Sequence, residues 1–280
     1  MMTTWQVDFY RRPLTDENGN PLWELVICSP DKAFAAYAFC PQQDANAEWL
    51  TQQFTDLAQQ AQSPDRIEVF RPQSLSLVES AAAGLNISVV PTRRTLALKD
   101  YLGDRAQFYK TLPNYTGESY QPIHVDRPPP IPLDESLWGD RWRFGALSAG
   151  DIEIFLNDKP IPIREVPEEI DPLQLGLSST TLIPGVIIDG GRASMRLARW
   201  LQSARPVALD YISGAPDGLI LDSGLSDRWI IATADDPSVR QSAQTFQTRL
   251  QASQGVHFLL IQPDESGVTY TGFWLLRPVP

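Results

Sequence analysis

Residues 5–40, WQVDFYRRPLTDENGNPLWELVICSPDKAFAAYAFC, carry the pattern that decides the fold. Trp5, Val7 and Phe9 alternate along Trp5–Tyr10, the two-residue period of a strand with one buried face. Asp16–Asn20 (DENGN) is rich in turn-forming residues, and Leu22–Cys28 (LWELVIC) returns as the hairpin partner. Phe34–Cys40 (FAAYAFC) makes a third strand. The period then changes: Leu50, Phe54, Leu57, Ala58 and Ala61 share one face of a helix.

Working outward, Ile67–Phe70 reads as a fourth strand. A short helix follows from Leu75 to Gly84, a glycine suited to end it. Ile87–Val90 is a fifth strand closed by Pro91, and a longer helix runs from Thr95 toward Leu112. The order β-β-β-α-β-α-β-α is that of the ribonuclease-H-like architecture, among others. Beyond it, Pro113–Trp138 contains RPPPIP (Arg127–Pro132) and little apolar period, so it reads as a semi-rigid, partly extended connector; a proline-rich peptide ligand is the sharper alternative.

The pattern restarts at Asp140 with a strand in DRWRFGAL and is irregular to Thr181. Ile183–Asp189 is a strand, and Arg192–Ala204 a helix with Leu197, Trp200, Leu201 and Ala204 on its apolar face. Strands over Pro206–Ile212, Gly218–Leu221 and Arg228–Ala234 come next. Asp236 and Pro237 then open a helix over Ser238–Ser253, and Val256–Ile261 and Val268–Leu276 are the last strands. A β-β-β-α-β block thus occurs twice, opened by VDFY at Val7 and LDYI at Leu209, with IEVFRP at Ile67 resembling FLLIQP at Phe258; a diverged duplication would account for this. The expected fold class is α/β (α+β), two domains, each a mixed sheet with a three-strand meander followed by αβ units and flanked by helices. The domains are residues 1–112 and 140–280, joined by a proline-rich linker at 113–139.

Composition agrees with two cores. The chain has 280 residues, of which 42% are apolar and 20% charged, with eight Trp, eight Tyr and eleven Phe, which excludes a largely disordered chain. Cys28 and Cys40 sit in apolar runs and read as buried thiols in a reducing compartment, with a disulfide between neighbouring strands as the alternative. Two histidines, His124 and His257, and no Cys/His spacing exclude a structural zinc site. The start, MMTTWQVDFYRR, is not a signal peptide, and no apolar run reaches the length of a membrane span. A soluble, cytoplasmic protein is expected. A net charge of −11 argues against a general nucleic-acid coat protein and leaves room for a local basic groove.

The search for catalytic groups returns little. There is no G-x-S-x-G, P-loop or H-E-x-x-H, and no Ser/His or Cys/His pair. Asp189–Gly191 (DGG) lacks the spacing of a dinucleotide fingerprint. Asp8 and Glu48 stand where a ribonuclease-H-like site places two metal ligands. A third should close the fourth strand, which instead ends Phe70-Arg71-Pro72, and Asp210 in the second half also lacks companions. Neither catalytic residues, metal nor cofactor is expected.

The basic residues say more. Arg192, Arg196 and Arg199 fall opposite the apolar stripe of their helix, and the Gly190-Gly191 turn could offer backbone N–H groups to a phosphate. Arg93, Arg94 and Lys99 surround another helix start. Arg141 and Arg143 interleave with Trp138, Trp142 and Phe144, the residue types that stack and neutralise single-stranded RNA. A solvated helix face or an amphipathic strand is the plainer reading of each patch.

The terminus GFWLLRP (Gly272–Pro278), WQVDFYRRP near the start, the proline-rich middle and IPGVIIDGGRAS (Ile183–Ser194) together resemble a family found in cyanobacteria and chloroplasts. Its members are activators of translation of the photosystem I reaction-centre B subunit. The resemblance spans the chain and implies RNA binding without enzymatic activity, in support of translation and assembly of photosystem proteins. The family's W-L-L signature matches Trp274, Leu275 and Leu276. A chain starting at its first strand with no transit peptide suggests a cyanobacterial member acting in the cytoplasm. The RNA-binding candidates are therefore Arg192, Arg196, Arg199, Trp274, Leu275, Leu276, Arg141 and Arg143. The expected partner is RNA, the 5′ region of a photosystem transcript, with the ribosome or photosystem assembly proteins beside it. Two alternatives stand: a metal-dependent nuclease using Asp8 and Glu48, and a protein-binding assembly factor. For the signature, apolar residues on both strand faces point to burial, so it acts by shaping the last strand, with base stacking by Trp274 the competing route.

Overall fold

The opening alternation folds as an antiparallel meander of β1 (Thr4–Thr15), β2 (Pro21–Cys28) and β3 (Ala35–Pro41). The turn between β1 and β2 is held by the Asp16 carboxylate, which accepts from the backbone N–H of Asn18 and Asn20 at 2.9 and 2.8 Å. The computed structural model describes residues 3–61 and 63–279. The chain divides into two compact units, residues 1–126 and 127–279.

In the first unit, α1 (Ala47–Gln60), β4 (Arg66–Val69), α2 (Pro72–Ala83), β5 (Ser88–Pro91) and α3 (Leu96–Tyr109) follow the meander. The sheet order is β3-β2-β1-β4-β5, with β1, β4 and β5 mutually parallel. Asn46 caps α1 by accepting from Trp49 N–H at 2.9 Å, the usual remedy for a helix's unpaired first N–H groups. Period two on β1 sends Trp5, Val7 and Phe9 into one core with Leu50 and Phe54 of α1 and Val78 and Ala81 of α2. The opposite face carries Val26, Cys28 and Phe70 against Ala97, Leu98 and Leu102 of α3. Both cysteines are buried free thiols, and burial pushes each up to about 12.

The proline-rich stretch makes specific contacts along its length. Residues 114–116 are tied to the end of β1, Asn114 and Tyr115 lying beside Thr15 and Leu14. Ile123 and Val125 pack onto the α3-side core. Ile131 and Pro132 form a two-residue strand, β6, in a sheet of the second unit, where Leu133 and Leu137 enter the core. Prolines lack an N–H but keep their carbonyls, so a proline-rich segment can be bound along its length without any apolar period to announce it.

The second unit holds β7 (Arg141–Ser148), α4 (Ala149–Asp158), β8 (Ile163–Glu165), β9 (Leu182–Asp189), α5 (Ser194–Ala204), β10 (Pro206–Ile212), β11 (Asp217–Ser223), β12 (Asp227–Ala234), α6 (Pro237–Ala252), β13 (His257–Gln262) and β14 (Gly272–Leu276). They make two sheets, β10-β11-β12-β6 and β7-β9-β13-β14-β8. Here the duplication expected between the halves breaks down. The β10–β12 meander recurs, but β13 pairs with β9 and β14, whereas β4 joins the meander's own sheet through β1. Like element order therefore conceals unlike sheet pairing. Among the described residues no helix is long and apolar enough to cross a membrane.

Candidate nucleic-acid interface

Helix α5 leaves β9 through Asp189-Gly190-Gly191. Gly191 has φ +51, and a Cβ on it would lie 2.2 Å from an oxygen of the Asp140 carboxylate, so this turn requires glycine. Leu197, Ala198 and Leu201 bury one face of the helix, while Arg192, Met195, Arg196 and Arg199 are exposed on the other. Residues 190–205 contain four arginines and no carboxylate in a chain of net charge −11. Among the described residues neither Arg192 nor Arg199 has a carboxylate within ion-pairing distance, and Arg196 donates to the backbone carbonyl of Ser136. That short turn also carries Trp138, 36% exposed, its indole N–H fixed on Leu133 O at 2.8 Å. Arg196 also acts electrostatically on Asp134, so the charges of this face that lack a carboxylate partner among the described residues are those of Arg192 and Arg199.

The glycine amides are spent. Gly190 N–H donates to Gln262 O at 2.8 Å and Gly191 N–H to Pro263 O at 2.9 Å, so the phosphate cradle expected at this turn is replaced by hydrogen bonds to the end of β13 and the residue after it. Arg141 and Arg143 do not join an aromatic platform either. Strand alternation packs Trp142 and Phe144, partly buried, against the core and puts the arginines on the opposite face. Arg143 contacts both oxygens of Asp189 at 2.9 and 3.1 Å, and exposed Arg141 lies 3.8 Å from Glu265.

Trp274, Leu275 and Leu276, expected among the contact residues, are at most 1% exposed. Trp274 and Leu276 share a core with Leu197, Ala198 and Leu201 of α5, while Leu275 lies in the core on the sheet's other face. Close packing explains Gly272, where a Cβ would come within 2.5 Å of the indole. Trp274 and Leu276 thus pack against the back of the arginine helix. Lys99 is turned inward, donating to Arg93 O at 2.9 Å.

In the first unit, the carboxylate expected as a metal ligand is closed by cations. Asp8 accepts from Arg12 at 2.9 Å and Arg71 at 2.8 Å, and all three side chains are at most 3% exposed. Burial alone would raise the Asp8 pKa, but the two guanidiniums outweigh it and hold the carboxyl below its usual range. Arg12 also contacts Glu24 and donates to the Tyr120 hydroxyl at 2.8 Å, and Glu24 accepts from Arg105 and Tyr109. Arg71 thus stands where the third metal ligand would be. Glu48 is exposed on α1, which packs against the sheet face opposite Asp8, so these two carboxylates do not share a site. Among the described residues no group of three or more His, Cys, Asp or Glu could hold a metal ion.

Two surfaces escaped the sequence reading. Tyr37, Phe39 and Phe108, each 43% exposed, surround Arg105, whose guanidinium lies 4.4 Å from the Tyr37 ring centre and 4.6 Å from that of Phe108. The signal was there in the i, i+2 spacing of Tyr37 and Phe39 and the helical spacing of Arg105 and Phe108, but only the fold brings strand and helix together. The second is a cleft of about 400 Å³ beside Arg71, lined by Tyr10, Gln73, Tyr120, Gln121 and His124 among others.

These features describe a two-unit α/β protein with an exposed arginine face on α5 and, among the described residues, no group of His, Cys, Asp or Glu that could hold a metal ion. Residues 4–105 match the N-terminal region of the RNA-binding protein Tab2/Atab2 family, and residues 120–277 its C-terminal domain. The chain belongs to this family of RNA-binding proteins. It is 30% identical to the chloroplastic TAB2 homolog of Arabidopsis thaliana, with 99% of this chain and 75% of that protein covered. To the chloroplastic TAB2 homolog of Zea mays it is 29% identical, with 99% and 72% covered. Among solved structures, the HTLV-2 integrase catalytic core with magnesium matches 40% of this chain and 77% of its own at 13% identity. Its TM-score is 0.27.

Proposed function

We propose that this protein binds single-stranded RNA through the exposed arginine face of α5 and supports translation and assembly of photosystem proteins, in photosystem I biogenesis, without catalysing a reaction. The observation that carries the reading is the exposed row Arg192, Arg196 and Arg199, with no carboxylate within residues 190–205 of an acidic chain that belongs to an RNA-binding family. Phosphates are the complementary ligand of such a row. A small cationic face on an acidic body limits the number of phosphate contacts, so affinity comes from few charges and specificity from bases. The W-L-L residues act in this scheme from within, by seating α5. The photosystem assignment extends the family resemblance, as do the cytoplasmic setting, the cyanobacterial origin and the 5′ region of a photosystem transcript as target. Ribosomal or assembly proteins would meet the RNA-bound protein.

Crosslinking RNA to the protein in cells and sequencing the bound fragments tests this. Enrichment of photosystem transcripts near their 5′ ends is expected. Association with photosystem subunits or ribosomes that survives ribonuclease, with no enriched transcript, would contradict it and favour a protein-binding assembly factor.

A further inference from the structure

The 400 Å³ cleft of the first unit has a position that general topology makes meaningful. β1 and β4 run parallel through Val7 and Val69, after which β4 ends while β1 continues through Tyr10. The chain leaves β1 toward β2 on one side, and leaves β4 through α2 toward β5 on the other. Strand order therefore reverses between β1 and β4, and in open α/β sheets ligands bind in the crevice outside the carboxyl ends of strands at such a point. Tyr10 lines the cleft from within β1, just past its pairing with β4, Arg71 and Gln73 line it from the start of α2 beyond the end of β4, and Tyr120, Gln121 and His124 close it from the segment after α3.

The walls are fixed and the readers are free. Arg71 lies 4.2 Å from the Tyr10 ring centre and is locked by Asp8 and by the carbonyls of Pro122 and His124 at 2.7 and 3.1 Å. Tyr120 is held by Arg12. The exposed side-chain amides of Gln73 and Gln121 have no hydrogen-bond partner among the described residues, and each offers both donor and acceptor. Because the Arg71 guanidinium is already committed to Asp8 and two carbonyls, the cleft is a poor phosphate site. Aromatic rings with unpaired amides are the chemistry that holds an unstacked nucleobase by its faces and edges, and the volume lies in the range of small-ligand sites. We propose that this crevice takes one unpaired base of a bound RNA strand and reads it through Gln73 and Gln121. The proposal rests on the RNA-binding reading but on a different unit from α5.

The test uses the full chain, RNA decamers carrying 4-thiouridine for photocrosslinking, and A, C, G and U homodecamers for affinity. Crosslinks at Tyr10, Tyr120 or His124 are expected. The wild type should rank the homodecamers. Gln73→Ala with Gln121→Ala, both exposed positions, should shrink the ratio of best to worst by at least about fivefold with the salt dependence unchanged. Tyr10→Leu, which keeps bulk but loses the ring face, should weaken the best decamer by about tenfold. Crosslinks confined to the second unit, with the ranking intact in the glutamine variant, would overturn the crevice and leave the α5 reading standing. Failure of the wild type to bind any decamer would overturn both.

Discussion

His257 shows how one residue ties stability to pH. It is fully buried; its Nε2 accepts from Leu209 N–H at 2.8 Å, and Nδ1 lies 2.9 Å from Gly255 O. These partners define one neutral tautomer, with the proton on Nδ1, and a second proton would set Nε2–H against Leu209 N–H. Burial accordingly pushes its pKa down to about 4 from 6.5. Between those values the unfolded chain binds the proton and the folded chain does not. Stability contributed by this site should therefore be level above about pH 7, fall as pH drops below 6.5, and lose about 3 kcal/mol by pH 4. Urea unfolding of the wild type and His257→Gln at pH 7 and pH 5 checks this: the variant should lose less stability between the two pH values. Trp274 was legible in outline, since apolar residues on both faces of one strand imply burial. What the sequence could not show is that the ring backs α5. Trp274→Ala should cost about 3–5 kcal/mol in unfolding free energy. It should weaken RNA binding only through loosened packing of α5, so lost affinity with an unchanged melting temperature would contradict its placement.

At the scale of elements, strong periods were readable and short or partner-defined elements were not. The meander, the α1 and α5 stripes and the β13 run follow from alternation and helical spacing. Helix α4 has only ten residues, and the three-residue β8 exists because β14 lies beside it. Arg143 looked like a ligand-binding side chain because its partner Asp189 is on a neighbouring strand, 46 residues away. The crevice at the end of β4 was hidden for the same reason: its lining comes from separate segments that only topology joins. Asp8 was found as the position of interest, but the meaning of Phe70-Arg71-Pro72 was not, since a guanidinium replacing a ligand is visible only in the folded contacts. Arg71→Ala should leave Asp8 with one cation instead of two in a buried setting and destabilise the first unit by about 3–5 kcal/mol, measured by chemical unfolding. Little change would mean that the Asp8–Arg71 pair does not hold the sheet to the 120–126 segment.

Across the whole molecule, the chain divides into compact units at residue 126. We propose that the first unit folds as residues 1–126. A fragment ending at residue 112 would lose Tyr120, Pro122 and His124, the partners of Arg12 and Arg71. It should unfold at lower denaturant than the 1–126 fragment; equal stability would return the segment to a mere connector. Each phosphate contact with a single strand contributes about −0.7 to the slope of log affinity against log salt. The most direct test is the salt dependence of single-stranded RNA binding by the full chain and by its Arg192→Ala, Arg196→Ala, Arg199→Ala variant, with circular dichroism confirming the fold. Three lost contacts should flatten the slope by about 2 and weaken binding at low salt. An unchanged slope in a folded variant would contradict the account and leave α5 as a solvated helix face.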